Sequence, residues 1–226
     1  MLPVKSLFSN VVLSHKTFFG HFRKWCKIGE REYCWTKIFE KYKSFIDLSS
    51  ADLDGSLTTA LCGGEQVAYQ GRKKRKSTNS LYLSNRLDLP LALSSPIAIN
   101  HNDLYEIDKS SEELFSTLEE AKISSDGLFY YAVSGFDSKD FRFICNKWGI
   151  IPIVASNYRN GVSKERYLLD DFFYKQRYAI ERTNAWMDSF ASLLNRFDIT
   201  VSTCKCFNYK VFIIILFKKI KTNKSR

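Results

Sequence analysis

From residue 127 onward the chain alternates short apolar runs with longer amphipathic ones, and this order most constrains its fold. GLFYYAV (127–133) is an unbroken apolar run, as a buried strand is. SKDFRFICNKWGI (138–150) spaces its apolar residues as a helix does, and IPIVAS (151–156) reads as another strand. NYRNGVSKER is a polar, basic loop, after which a long helix is predicted over about 170–195, then a break and an apolar stretch over 207–220. Upstream, SADLDGSLTTAL reads as a strand interrupted at Gly55, and NSLYLSNRLDLPLALSSPIAI as a hairpin turning near residues 85–88. Polar residues in HNDLYEIDKS could cap a helix expected at about 111–122. Three strands, then helix, strand, helix, strand and long helix, is an α/β order with a mixed sheet.

The first part of the chain has a different texture. Over residues 15–47 aromatics alternate with charges, with Phe19, Phe22, Trp25 and Cys26 at helical spacing. Gly29 breaks the pattern, so two short helices are predicted, the second with an apolar stripe of Trp35, Ile38, Phe39 and Tyr42. The chain of 226 residues, 45% hydrophobic, is long enough for one substantial core. Its net charge of +10 suits a polyanionic ligand and argues against an acidic mimic of one.

Other classes fit less well. The six cysteines form no repeated CxxC pair, and the three histidines are too few to complete an ordinary zinc site. The first residues lack a small-residue cleavage site and make a poor signal peptide, so free thiols in a reducing cytoplasm are expected. VFIIILF (211–217) is far short of the roughly 20 residues that span a bilayer. It reads as a buried helix or strand leading to a basic tail, in preference to an interfacial anchor.

Two acidic residues stand out for chemistry. Asp54 lies mid-strand before the small residues Gly55 and Ser56, and Glu181 lies on the predicted long helix after Ala179 and Ile180, flanked by Arg177 and Arg182. Carboxylates are the ligands that hard Mg2+ or Mn2+ ions require when a pair of them cleaves a phosphodiester. Residue type alone favours the plainer readings, a turn aspartate for Asp54 and a solvated helix charge for Glu181. The consecutive basic residues Arg72, Lys73, Lys74, Arg75 and Lys76 read either as a solvated tract or as a clamp on a DNA backbone.

Four segments, DLDGSLTTALCGGEQVAYQGRKKRKSTNSLYL, SPIAINHNDLYEI, GFDSKDFR and YAIERTNAWMDSFASLLNRFD, resemble in content and order the DDE domain of bacterial insertion-sequence transposases. The resemblance spans roughly residues 48–220. It implies an RNase H-like mixed sheet flanked by helices, with a short helical N-terminal segment (1–47) left from a DNA-binding region and a basic tail (221–226). It implies that Asp54 and Glu181 are the first and last catalytic, metal-binding carboxylates, with Mg2+ or Mn2+ as cofactor. The middle aspartate of that family stands two residues before the glycine of a run like DAGFDS; here the run is VSGFDS, and the position is Val133.

A valine cannot ligate a metal. Asp137, read as a helix cap, is too far along the chain to replace it. By the same resemblance Arg72, Lys73, Lys74, Arg75, Lys76, Arg177 and Arg182 contact DNA, the partners being double-stranded element ends (terminal inverted repeats) and target. A homo-oligomer and a cytoplasmic, nucleoid-associated location follow, with no membrane. Relatives carry a longer helical start, of which residues 18–42 resemble the end. The expected function is transposition with impaired cleavage; the alternative is a non-catalytic DNA-binding remnant or regulator.

Overall fold

A computed structural model describes residues 14–71, 73–154 and 178–224. Helices α1 (His15–Lys27) and α2 (Glu30–Tyr42) meet at Gly29, whose left-handed φ of 74° any side chain would strain. Ser14 caps α1 by accepting from the Thr17 amide. Trp35 and Phe39 of α2 are fully buried, their rings stacked at 5.0 Å, and Trp35 Nε1 donates to Leu91 O at 2.8 Å. The expected stripe on α2 therefore enters the core. On α1 the spacing is helical but the burial is not as its apolar content suggests: Phe18, Phe19 and Trp25 are exposed and only Cys26 is buried.

The strands are β1 (Ser50–Ala60), β2 (Ala68–Gln70), β3 (Arg75–Asn85), β4 (Pro90–Leu93), β5 (Ile97–Ala98), β6 (Phe129–Ala132), β7 (Ile151–Val154) and β8 (Asn195–Arg196). Among the described residues they form one sheet in the order β2-β3-β1-β6-β7, with β4 and β5 on β3 and β8 on β1. β1 is antiparallel to β3, and β3 to β4, whereas β1, β6 and β7 run parallel. Three antiparallel strands continued by two parallel ones, with α3 (Ile107–Glu120) and α4 (Lys139–Lys147) as the crossovers, is the RNase H-like arrangement.

Asn85 closes the β3–β4 turn. Its Oδ1 accepts from the amides of Leu87 and Leu89 at 3.1 and 3.0 Å, and its Nδ2 donates to Asp47 O at 2.9 Å.

Several boundaries differ from the sequence reading. β1 runs unbroken through Gly55. α3 begins at Ile107, earlier than expected, and its N-cap, Glu106, makes no side-chain capping bond. The helix expected over 170–195 is described only from Tyr178. It ends at Asp188 as α5 (Tyr178–Asp188), followed by the short α6 (Ala191–Leu194) and by β8, because the β8 residues Asn195 and Arg196 are drawn into pairing with Thr59 and Ala60 of β1. Residues 157–166, read as a loop, lie outside the described residues.

The apolar run 211–217 belongs to α7 (Val201–Lys224) and resolves as helix. Its Tyr209, Phe212, Ile215 and Leu216 are buried, with Phe212 edge-on to Trp35 at 5.4 Å. A helix that is apolar over so much of its circumference needs neighbours on several sides. Here α1 and α2 cover one side, and Tyr82 of β3 reaches Asn208 Oδ1 from the other at 2.7 Å. Among the described residues no helix is long and apolar enough to cross a membrane.

Candidate functional site

Side chains alternate across β1, so Asp52 and Asp54 share one face while Leu53 and Gly55 share the other. Asp54 is half-buried; its Oδ1 accepts from the Gly55 amide at 2.9 Å and its Oδ2 from Asn184 Nδ2 at 3.3 Å. On the opposite face a Cβ at Gly55 would sit 2.5 Å from Asp103 Oδ1. Gly55 thus supplies room, and the strand's continuity depends on it. Asp103 is held there by Asn79 Nδ2, which donates at 2.6 Å. The sequence offers Asp103, within HNDLYEIDKS, only as a helix-capping candidate; the fold sets it against Gly55 instead.

The parallel ladder between β1 and β6 pairs Asp52 with Tyr131 and Leu53 with Ala132. One step further stand Asp54 and Val133, the latter extended at φ −69°, ψ 162° before a 3-10 turn at Ser134–Phe136. The pairing stops at Leu53 and Ala132, and Val133 is the first residue beyond β6. Asp137 Oδ1 accepts from Arg142 Nη2 at 2.8 Å, and Ser138, not Asp137, caps α4 by accepting from the Phe141 amide at 3.1 Å.

Helix α5 packs on β1 and β3 through Ile180, Thr183 and Met187, all buried. Asn184 borders that face and reaches Asp54. Glu181 precedes it by one turn, rotated roughly 60° around the axis, and is exposed on the same flank. Arg182 points the other way. Its Nε and Nη2 both donate to Asp88 Oδ1, at 2.8 and 2.7 Å, and this bond holds the guanidinium pKa above its ordinary value. Arg182, next to Glu181 in sequence, could hold a phosphate or pair with an acid; in the fold it pairs with Asp88 of the β3–β4 turn. Arg177 lies outside the described residues.

The basic run forms the turn between β2 and β3. Arg75 and Lys76 are the exposed first residues of β3, Lys73 and Lys74 form the turn, and Arg72 lies outside the described residues. Arg75 Nη1 donates to Thr59 Oγ1 at 3.4 Å. Thr59 is five residues beyond Asp54 on the same strand, roughly 17 Å away. Burial pushes the Asp188 carboxyl up and Lys73 pulls it down, which brings the turn near the end of α5. By the same alternation Thr59 lies on the face of β1 opposite Asp54, so the Arg75 contact places the basic turn beyond the end of the strand, on the other face.

Two-ion phosphoryl transfer needs several convergent carboxylates. Among the described residues, Asp54 accepts from Gly55 and Asn184, Glu181 is exposed on α5, and Val133 follows β6. Among the described residues no three His, Cys, Asp or Glu side chains are grouped to hold a metal.

The fold is a mixed sheet in RNase H-like strand order, with Asp54 on its central strand and Glu181 on a helix packed against that strand. No protein-family model and no curated protein matches the chain. Among solved structures it is similar to a Mos1 transposase paired-end complex with left transposon end, at 11% identity over 89% of this chain and 69% of that one, with a TM-score of 0.37. It is also similar to the catalytic domain of Mos1 mariner transposase, at 11% identity over 81% of this chain and 89% of that one, with a TM-score of 0.36.

Proposed function

We propose that this chain is a DNA-binding protein descended from insertion-sequence transposases, one whose phosphoryl-transfer centre is incomplete. What supports the reading is Val133, which follows β6 one residue beyond the Leu53–Ala132 pair and occupies the position where the family resemblance puts a catalytic aspartate. Asp54 and Glu181 are the retained carboxylates, and Mg2+ or Mn2+ is the cofactor that a third carboxylate would admit. The partners are element ends and target DNA, met as a homo-oligomer in the bacterial cytoplasm at the nucleoid. Lys73, Lys74, Arg75 and Lys76, with Arg72 and Arg177, supply the charge that grips the backbone.

The test is a salt titration of duplex DNA binding by the full chain and by a variant with Lys73, Lys74, Arg75 and Lys76 all changed to alanine. Each phosphate that the variant no longer neutralises should flatten the plot of log affinity against log salt by roughly 0.9. A weaker, flatter response in the variant supports the reading. An unchanged slope makes the run a solvated tract and removes the DNA clamp.

A further inference from the structure

A second cationic surface lies on the far flank of α5, away from Asp54. There the last turns of α7, the β3–β4 turn and α5 enclose a cleft of about 480 Å3, within the range of roughly 300–1,000 Å3 typical of small-ligand sites. Four of its lining residues are cations, Arg86, Arg182, Lys218 and Lys219, and one, Asp88, is an anion.

Asp88 is a single carboxylate among those four cations, and its Oδ1 already accepts both Arg182 donors, so the cleft keeps a net positive rim over an otherwise mostly apolar lining. Lys219 donates to Leu87 O, so its ammonium is fixed at the wall. Burial holds that ammonium below its ordinary pKa, with Asp88 opposing and Arg182 pushing the same way as burial. Crowded cations of this kind are relieved by a polyanion.

The rim adds a flat aromatic face. Trp186 is 47% exposed, and Lys218 Nζ stands 5.9 Å from its ring centre and 5.5 Å from that of Phe190. A carboxylate-rich peptide would satisfy the charges but make no use of the exposed part of the indole, beyond its contact with Lys218. A nucleotide uses both, phosphate on the cations and base on the ring. In a duplex the base faces are already stacked, so the fit is to an unpaired strand.

We propose that this cleft binds single-stranded nucleic acid, seating a phosphate between Arg182 and Lys219 and stacking a base on Trp186. The proposal rests on the nucleic-acid reading given above and adds a separate site to it. Asp88 then acts as the resident counter-ion that an incoming phosphate displaces.

The experiment titrates the full chain with a fluorescein-labelled 15-mer of oligodeoxythymidylate, following anisotropy and tryptophan emission. Wild type should bind with quenched emission. Trp186→Ala should weaken binding roughly 5- to 100-fold, and Trp186→Phe should restore most of the affinity without the quench. Arg182→Gln with Lys219→Gln should weaken binding at least tenfold, with folding checked by circular dichroism. Asp88→Asn should tighten it severalfold, and asparagine tolerates the φ of 60° found there.

The alanine variant of the basic turn should keep the Trp186 quench. Wild-type affinity in the Trp186 and Arg182/Lys219 variants would overturn the proposal. Equal competition by polyglutamate, insensitive to Trp186, would also overturn it and make the cleft an acidic-peptide site. If duplex binding persists and still depends on the basic turn while the cleft variants change nothing, this site alone fails. If neither DNA form binds, the broader reading fails with it.

Discussion

Asn184 on α5 and Asp54 on β1 are joined by a 3.3 Å hydrogen bond that ties the glutamate-bearing helix to the central strand. Together with the buried Ile180, Thr183 and Met187, the bond accompanies the rotation of α5 that leaves Glu181 on the exposed flank. Asn184→Ala should cost roughly 0.5–1.5 kcal/mol in urea unfolding, the usual net worth of such a bond. Asn184→Asp should cost more at pH 7, because two carboxylates then face each other. That repulsion raises their folded pKa values, so the deficit should shrink as the pH falls towards 3. An equal deficit at both pH values would mean that the two side chains do not meet.

Gly55→Ala sets a Cβ against Asp103 Oδ1. The carboxylate must move and strain its bond to Asn79, for an expected loss of about 1–3 kcal/mol. Asp103→Ala alone leaves the buried Asn79 amide without that acceptor and should cost a similar amount. The double variant should be markedly less destabilised than the sum of the two, a coupling read directly from a double-mutant cycle. Additive losses would place Asp103 elsewhere.

Burial pushes the Cys145 thiol up to about 12, Cys204 to about 11 and Cys206 to about 12, and raises Cys26 as well. A thiol whose folded pKa lies above its unfolded value of 9.0 contributes stability that is complete below pH 9 and lost as the pH rises through 11–12. Stability should therefore fall between pH 9 and 12, and less steeply once Cys145 and Cys204 are replaced by alanine. In native protein at about pH 8, iodoacetamide should label exposed Cys62 ahead of these four. Rapid labelling of Cys145 before unfolding would contradict this.

The α/β order, the Gly29 break and the Asn85 turn are legible in the sequence because each is written in local periodicity or turn chemistry. The role of Gly55 is not. A glycine inside a strand pattern looks the same whether the chain breaks or a distant side chain approaches, and Asp103 lies far along the sequence. Arg182 stands beside Glu181 in the sequence, yet its partner Asp88 is 94 residues away and on the other flank. The aromatics of α1 have helical spacing, but spacing alone does not say whether another element covers them. Of the candidate site, Asp54, Glu181 and the missing aspartate are readable only through resemblance. The bond between Asp54 and Asn184 needs three dimensions.

Mn2+ binding by Val133→Asp tests the central claim most directly. By isothermal titration calorimetry the unmodified chain should bind Mn2+ weakly. Val133→Asp should bind at least tenfold more tightly, each tenfold being about 1.4 kcal/mol, and that gain should vanish when Glu181→Gln or Asp54→Asn is added. Equal affinity in the unmodified chain and in Val133→Asp, or a gain indifferent to Glu181, would contradict an otherwise intact site lacking one carboxylate.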